Sequence, residues 1–321
     1  MSKSVLVTGG CGYIGSHVSR AFKNAGYKVF VVDHVNRPHT LKDVDFFLKA
    51  DFASNESLNI INMHRPLAVV HCAGTSLVAP SMTDPGTYYD NNVAKTITML
   101  NTIRNIGSQP TILFSSSASV YGEPTQVPIP DTAPLAPISP YGVTKAITER
   151  MLFDYYRAHQ ISSVCFRYFN AAGAEPFNHD LGQEPGATHI VARVLESAIN
   201  NKEFTLYGTD YPTADGTCVR DYVHVWDLAV AHVRAVDYAR THPGAHVFNL
   251  GTGSGVSNKE IVSYVTTKYN LNNLQVEGRR GGDPAQLVAD VSKAQKELAW
   301  KPLYSNIETI IDSAYKWYSN K

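Results

Sequence analysis

Lys3-Ser4-Val5-Leu6-Val7-Thr8-Gly9-Gly10-Cys11-Gly12-Tyr13-Ile14-Gly15 is the stretch whose reading decides the fold. An apolar run ends in glycines spaced GxxGxxG. Residues 13–25 then carry helical spacing, with Ile14, Val18, Ala21 and Phe22 on one face. Strand, tight loop and helix in that order make a phosphate cradle. Without Cβ atoms the backbone can turn sharply and approach a pyrophosphate. The helix start adds free N–H groups and the positive end of a dipole. A tight turn packed on a sheet is the bland alternative. Cys11 inside the loop reads as a small side chain filling the turn, with a redox sensor as the other reading.

Working outward, Lys28 to Val32 is a second buried strand that ends at Asp33. A carboxylate there accepts hydrogen bonds from both ribose hydroxyls of an adenosine and repels a 2′-phosphate, which favours NAD over NADP. Arg37 nearby keeps NADP open. Asp51, ending the next strand, either touches the adenine edge or serves as a turn residue. Further strands are read at 45–50, 67–71, 111–114 and 162–166, with helices around 54–63, 85–106 and 140–158. Strands that alternate with helices and are apolar on both faces predict an α/β fold, a doubly wound parallel sheet of Rossmann-like type. After Gly173 the texture changes to a polar loop (174–187), then short strands (204–207, 274–277) and helices (188–201, 257–269, 305–318). The expected division is a dinucleotide-binding domain over 1–172 and a smaller mixed α/β substrate domain over 173–321. Residues 226–250 are expected to return to the first. Prolines crowd residues 124–140, either as a stiff surface crossover or as a rigid lead into an active-site helix.

The 321 residues hold 28 Lys plus Arg and 28 Asp plus Glu, a formal net charge of zero. No basic field exists to draw the chain onto nucleic acid or an anionic membrane, so an anionic ligand needs a few placed cations. No apolar run reaches the roughly 18–20 residues of a membrane helix. The glycines at 9, 10, 12 and 15 interrupt any signal-peptide core. Cys11, Cys72, Cys165 and Cys218 show no CxxC pairing, and free thiols predict a cytoplasmic protein. No metal site is expected: His242 and His246 are four apart, but Pro243-Gly244 breaks any helix between them.

Ser139-Pro140-Tyr141-Gly142-Val143-Thr144-Lys145 carries the chemistry. Ser139 suits an N-cap and Pro140 the first helical position. Tyr141 and Lys145 then lie one turn apart on one face. A tyrosine with an ordinary pKa of about 10 becomes a base only beside positive charge. Upstream, Ser115-Ser116-Ser117 follows the apolar run Thr111–Phe114, where a parallel sheet binds its ligands. These serines either bond a substrate oxygen or satisfy their own turn. A second YxxxK, Tyr264 to Lys268, lacks a glycine loop or serine run and reads as a surface helix.

The stretches VTGGCGYIGSH, SSSASVYG, SPYGVTK and RYFNAAG together resemble the extended short-chain dehydrogenase/reductases, and within them the nucleotide-sugar 4-epimerases. YYDNNV (88–93), YGTDYPTADGTCVRDYVHVWDLA (207–229), FNLGTG (248–253) and RRGGDPAQLVADVSKA (279–294) extend the likeness over most of the chain. The resemblance implies that Gly9, Gly12, Tyr13, Ile14, Gly15, Asp33, Asp51, Asn92, Lys145 and Phe169 contact NAD. It makes Ser117 and Tyr141 catalytic, with Lys145 orienting the nicotinamide ribose and tuning the tyrosine. Asn170, His189, Tyr207, Arg220, Arg280, Asp283 and Leu287, with Ser117 and Tyr141, would face a UDP-sugar. The implied reaction interconverts UDP-glucose and UDP-galactose through a 4-keto sugar.

Some positions depart from the family pattern. Residues 34–44 are short, Ser76 replaces a frequent Lys and His189 a frequent Asn. Leu287 is intermediate between the bulky and small residues that relatives place beside the sugar. Rival readings are a 4-epimerase of UDP-N-acetylhexosamines or UDP-pentoses, a 4,6-dehydratase, a reductase with exchanging cofactor, and a non-catalytic dinucleotide-sensing module. Ala118 and Ser119 after Ser117 count against the dehydratase, which needs an acid/base pair there. Relatives usually dimerise by pairing helices, and 85–106 and 145–158 are the candidate segments of a homodimer.

Overall fold

The computed structural model describes residues 3–106, 109–279 and 284–321. Six strands come first: β1 (Ser4–Thr8), β2 (Lys28–Asp33), β3 (Phe46–Lys49), β4 (Ala68–His71), β5 (Thr111–Ser117) and β6 (Ser163–Tyr168). Then follow β7 (Asn170–Ala172), β8 (Phe204–Tyr207), β9 (Val219–His224), β10 (Ala245–Leu250), β11 (Gly255–Ser257), β12 (Leu274–Glu277) and β13 (Gln286–Leu287).

Side chains alternate across a strand, and here both alternating sets are apolar. Val5 and Val7 of β1, with Val29 and Val31 of β2, enter one core. Leu6, Phe30 and Val32 enter the other. Such strands need cover on both faces. Helices Tyr13–Asn24 and Val225–Thr241 cover the first face through Val18, Phe22, Leu228 and Ala235. Helices Asn55–His64, Lys95–Arg104 and Pro140–His159 cover the second through Ile61, Met99, Ile103 and Leu152. The result is a seven-stranded sheet in the order β3-β2-β1-β4-β5-β6-β10, parallel at every pair. The order reverses between β1 and β4, which opens a crevice at the carboxyl ends of those strands.

The helical stretch read over 85–106 is not uniform. It runs as Pro85–Tyr89, a π-turn over Asp90–Ala94, and Lys95–Arg104. The cause lies partly in a distant helix: the Asn92 carbonyl accepts the hydroxyls of Thr96 at 2.9 Å and Thr148 at 3.2 Å. That widened turn swings the Asn92 side chain inward.

A third core holds Val191, Leu195, Phe204, Tyr222, Ile261, Val265, Ile310 and Trp317. It lies among helices Ile190–Ile199, Asn258–Tyr269 and Ile307–Ser319. Its central strand is β9, antiparallel to β11 and parallel to β13 and β7, while β8 and β12 form a separate parallel pair. Two buried carboxylates organise it. Asp221 accepts from Thr252 N at 2.6 Å, Thr252 Oγ1 at 2.7 Å, Gly253 N at 3.0 Å and Ala289 N at 3.1 Å. Asp227 accepts from Leu303 N, Tyr304 N and Ser305 Oγ. The proline-rich segment is stitched to the same region, Ile129 N donating to Val288 O at 2.8 Å and Asp290 N to Ile129 O at 2.9 Å. The second YxxxK is a clamp between helices: Tyr264 Oη and Lys268 Nζ both donate to Asp312.

Trp300 is fully buried against the first face of the large sheet, and its indole N–H donates to Asp227 O at 2.8 Å. Replacing it by alanine removes both the ring and its hydrogen bond. Trp300→Ala is expected to lower the unfolding free energy by about 3–5 kcal/mol, read from urea melts.

Candidate active site

Gly9 has φ +72°, and a Cβ on it would lie 2.7 Å from Ala73 N. A Cβ on Gly15 would lie 2.2 Å from Gly9 O. Both glycines are therefore dictated by backbone packing. Gly12 N donates to Gly9 O at 3.0 Å, and Gly12 then starts helix Tyr13–Asn24 with no side-chain cap. The first N–H groups of that helix, from Tyr13 and Ile14 onward, are thus presented to an anion. The buried Asp33 carboxylate rims the loop, accepting from Cys11 N at 2.9 Å and Val35 N at 3.0 Å. Arg37 Nη1 donates to Cys11 O at 2.9 Å, so this guanidinium is tied to the loop backbone. Cys11 itself is buried, and burial raises its thiol above the ordinary value. Asp51 lies beyond β3 and is paired with Lys95 Nζ at 2.8 Å.

Asn92 is 4% exposed and its amide faces inward. Oδ1 accepts from Thr75 N at 2.8 Å, while Nδ2 donates to Thr75 O and to Thr144 Oγ1, each at 3.0 Å. Asn92 therefore fixes the loop after β4 against helix Pro140–His159. Gly74 leaves room for it, since a Cβ there would lie 2.7 Å from Asn92 Oδ1.

That helix begins as its residues dictate: Ser139 Oγ accepts from Gly142 N and Pro140 takes the first turn. Tyr141 and Lys145 are both buried on its inner face. The Ser117 hydroxyl at the end of β5 lies beside the phenol and is held in its own turn, donating to Ser119 Oγ and accepting from Ser119 N, each at 3.2 Å. Lys145 Nζ donates to Ser115 O at 2.8 Å and stands 5.7 Å from the centre of the Tyr141 ring. Burial pushes the Tyr141 phenol above its usual 10, and the Ser117 hydroxyl beside it opposes that shift. Burial lowers Lys145 to about 8, opposed by the charge of Glu149. His71, 1% exposed and held by Thr8 Oγ1 and Thr96 Oγ1, falls to about 3 through burial and then through Lys145. It is a neutral wall. A phenol, a hydroxyl and an ammonium thus meet at the carboxyl end of a parallel strand, a constellation suited to moving a proton to or from a hydroxyl.

Residues 5–251 match the family model described as the NAD dependent epimerase/dehydratase family. This chain belongs to that family. A UDP-glucose 4-epimerase of Halalkalibacterium halodurans is 40% identical over 322 residues, covering 98% of this chain and 95% of the relative. The crystal structure of UDP-glucose 4-epimerase from Brucella ovis in complex with NAD is 38% identical, covers 99% of each chain and superposes with a TM-score of 0.94. That of the Bifidobacterium longum enzyme in complex with NAD+ and UDP is 34% identical, covers 99% of each chain and has a TM-score of 0.91.

Several positions singled out in the epimerase/dehydratase sequence line the second lobe. Asn170 on β7 and His189, which precedes helix Ile190–Ile199, share one pocket with Gln183, Tyr222 and Tyr318. Arg220 on β9 stands in register with Leu287 on β13. Its guanidinium donates to Pro284 O at 2.8 Å and Val219 O at 3.0 Å. Leu287 packs on the cluster of Ala118, Phe169 and Ala289 that joins the lobes. Tyr207 stands apart on the two-stranded sheet, paired with Glu277. Arg280 and Asp283 lie outside the described residues. Sequence reading missed Glu149 and Arg167. An arginine inside the otherwise apolar run of β6, and a glutamate four residues beyond Lys145, were the available signals.

Because the folded protein holds Lys145 near 8 against an ordinary 10.5, the unfolded chain binds more protons between those values, and stability rises with pH across that window. In nucleotide-free protein, the unfolding free energy is expected to rise relative to Lys145→Met by up to about 3 kcal/mol from pH 8 to 10.5. A constant difference in urea melts across that range would place the ammonium in a water-like setting.

Proposed function

We propose that this chain inverts carbon 4 of a UDP-linked hexose, interconverting UDP-glucose and UDP-galactose with bound NAD. The observation that carries this reading is the buried Tyr141 and Lys145 on one helix face, set against the end of the strand that carries Ser117. The residues present fit NAD: glycines that admit a pyrophosphate, an uncapped helix start for its charge, and a strand-end carboxylate for a ribose. Gly9, Gly12, Tyr13, Ile14, Gly15 and Asp33 would hold the adenosine and phosphates. Lys145 and Phe169 would lie toward the nicotinamide end. Asp51 and Asn92 would support the adenine side and the loop over it.

NAD, when bound, supplies the reversible two-electron acceptor that lets C4 pass through a ketone. Tyr141 as phenolate accepts the proton of the 4-hydroxyl, and Ser117 hydrogen-bonds the same oxygen. The Lys145 ammonium favours the phenolate by its charge. Asn170, His189, Tyr207 and Arg220, with Arg280 and Asp283, would anchor the UDP moiety while the sugar turns over. A guanidinium fork suits a pyrophosphate in a protein of zero net charge. Tyr141 then returns its proton to the oxygen of the inverted centre.

The same reading extends to a homodimer in the cytoplasm. Tyr89, Ile97 and Phe153 are each about two-fifths exposed on helices Pro85–Tyr89, Lys95–Arg104 and Pro140–His159, apolar surface suited to helix pairing. The four cysteines are free, as a reducing compartment keeps them. No helix among the described residues is long and apolar enough to cross a membrane.

Tyr141→Phe is expected to slow UDP-galactose conversion by about 10²–10⁴-fold, and Ser117→Ala by about 10²-fold, with NAD still released on denaturation. Parent-like turnover in Tyr141→Phe would remove the phenol from the reaction. Leu287→Ser is expected to raise the rate on UDP-N-acetylgalactosamine relative to UDP-galactose by about 10-fold or more, since side-chain volume beside the sugar sets that ratio. An unchanged ratio across the two substrates would put Leu287 away from the sugar.

A further inference from the structure

Three consecutive serines end β5, and each faces one residue of one helix face. Tyr141 lies beside Ser117, Lys145 donates to the Ser115 carbonyl at 2.8 Å, and Glu149 accepts the Ser116 hydroxyl. Positions 141, 145 and 149 recur at four-residue spacing, one turn apart. Two of these contacts belong to the proposed chemistry. The third does not, and Glu149 is 2% exposed.

Glu149 is not alone in the interior. Arg167, 5% exposed, sits directly opposite Ser116 in the β5–β6 register. Its Nε donates to Glu149 Oε1 at 3.0 Å and its Nη2 to Oε2 at 2.7 Å, a two-pronged pair. Nη1 continues to Tyr121 Oη and to Asp131 O, both at 2.8 Å. Tyr121 Oη donates to Asn249 Oδ1 at 2.6 Å, and Asn249 Nδ2 donates to Ile129 O at 2.9 Å. Hydrophobic residues of similar volume would fill this space with no desolvation penalty. What an ion pair adds is direction: a fork that accepts one geometry. Sliding the helix along the strand would break the fork and the Ser116 bond together.

We infer that Glu149 and Arg167 are positioning residues that fix the register between the helix bearing Tyr141 and Lys145 and the strand end bearing Ser117. This rests on the proposed roles of Tyr141 and Ser117. The pair is buried among protein partners, behind Ser116. It acts by holding the phenol and the serine hydroxyl on the same oxygen.

The test uses the NAD-loaded full chain with UDP-galactose. Ser116→Ala deletes only the helix-to-strand hydrogen bond, and it is expected to lower kcat about 3–10-fold with KM unchanged. Glu149→Gln is expected to lower kcat about 10–100-fold, again with little change in KM. The double variant Glu149→Met/Arg167→Met, which replaces the pair by apolar volume, is expected to melt close to the parent yet keep the low kcat. A purely structural pair would recover kcat along with the melting temperature in the double variant, and that result would overturn the inference. So would parent-like kcat in Ser116→Ala, which decides the matter even where Glu149→Gln fails to fold. Full activity in Tyr141→Phe would instead bring down the underlying reading of the chemistry, whatever the pair does.

Discussion

A buried ammonium must find oxygen, and Lys145 finds it in the carbonyl at the end of β5. Pairing with β4 ends one residue earlier, at Phe114, while β5 continues along β6 to Ser117. The bond thus ties helix Pro140–His159 to the carboxyl end of the sheet where β5 outlasts β4. Burial disfavours the charged amine, while the Glu149 carboxylate favours it. Tyr141 lies one turn before Lys145, and its depth in the protein raises the phenol above its ordinary value. Each charge near this pair therefore weighs heavily, because little water is present to screen it.

The fold supplies the wall around this point from elements distant in sequence. His71 and Cys72 arrive from β4, Tyr168 from β6 and Tyr88 from helix Pro85–Tyr89. All are neutral groups: burial lowers the imidazole to about 3 and raises the Cys72 thiol to about 11. Tyr168 is tied in turn to Ser115 Oγ at 3.0 Å and to His232 at 2.7 Å. An apolar, neutral surround of this kind gives one cation and one carboxylate unusual influence over a nearby phenol.

Much of this was legible in the chain alone, where local geometry dictates residue type. Gly9 and Gly15 are forced by backbone contact, Ser139 and Pro140 by the start of a helix, and the alternation of Val and Leu by a sheet buried on both faces. The Tyr141–Lys145 spacing is likewise a helical fact. The rest depends on residues brought together by the sheet. Glu149 and Arg167 are 18 apart and meet because helix Pro140–His159 packs back across β6, the strand that follows it. The π-turn at Asp90–Ala94 follows from the hydroxyls of Thr96 and Thr148, one of them 56 residues away. Asp221 and Asp227 lie inside the YPTADGTCVRDYVHVWDLA stretch, yet nothing in their spacing tells that they cap loops at 252–253 and 303–305.

The place of β10 at the edge of the large sheet has a consequence for synthesis. Its partner β6 is complete by residue 168, but β10 itself is translated only after β7, β8 and β9. A nascent chain therefore leaves the ribosome with an open, hydrogen-bond-hungry β6 margin while nearly half the second lobe is still being made. The two lobes consequently mature together, and neither can be cut away as a self-sufficient cassette without leaving the other's sheet or core unfinished.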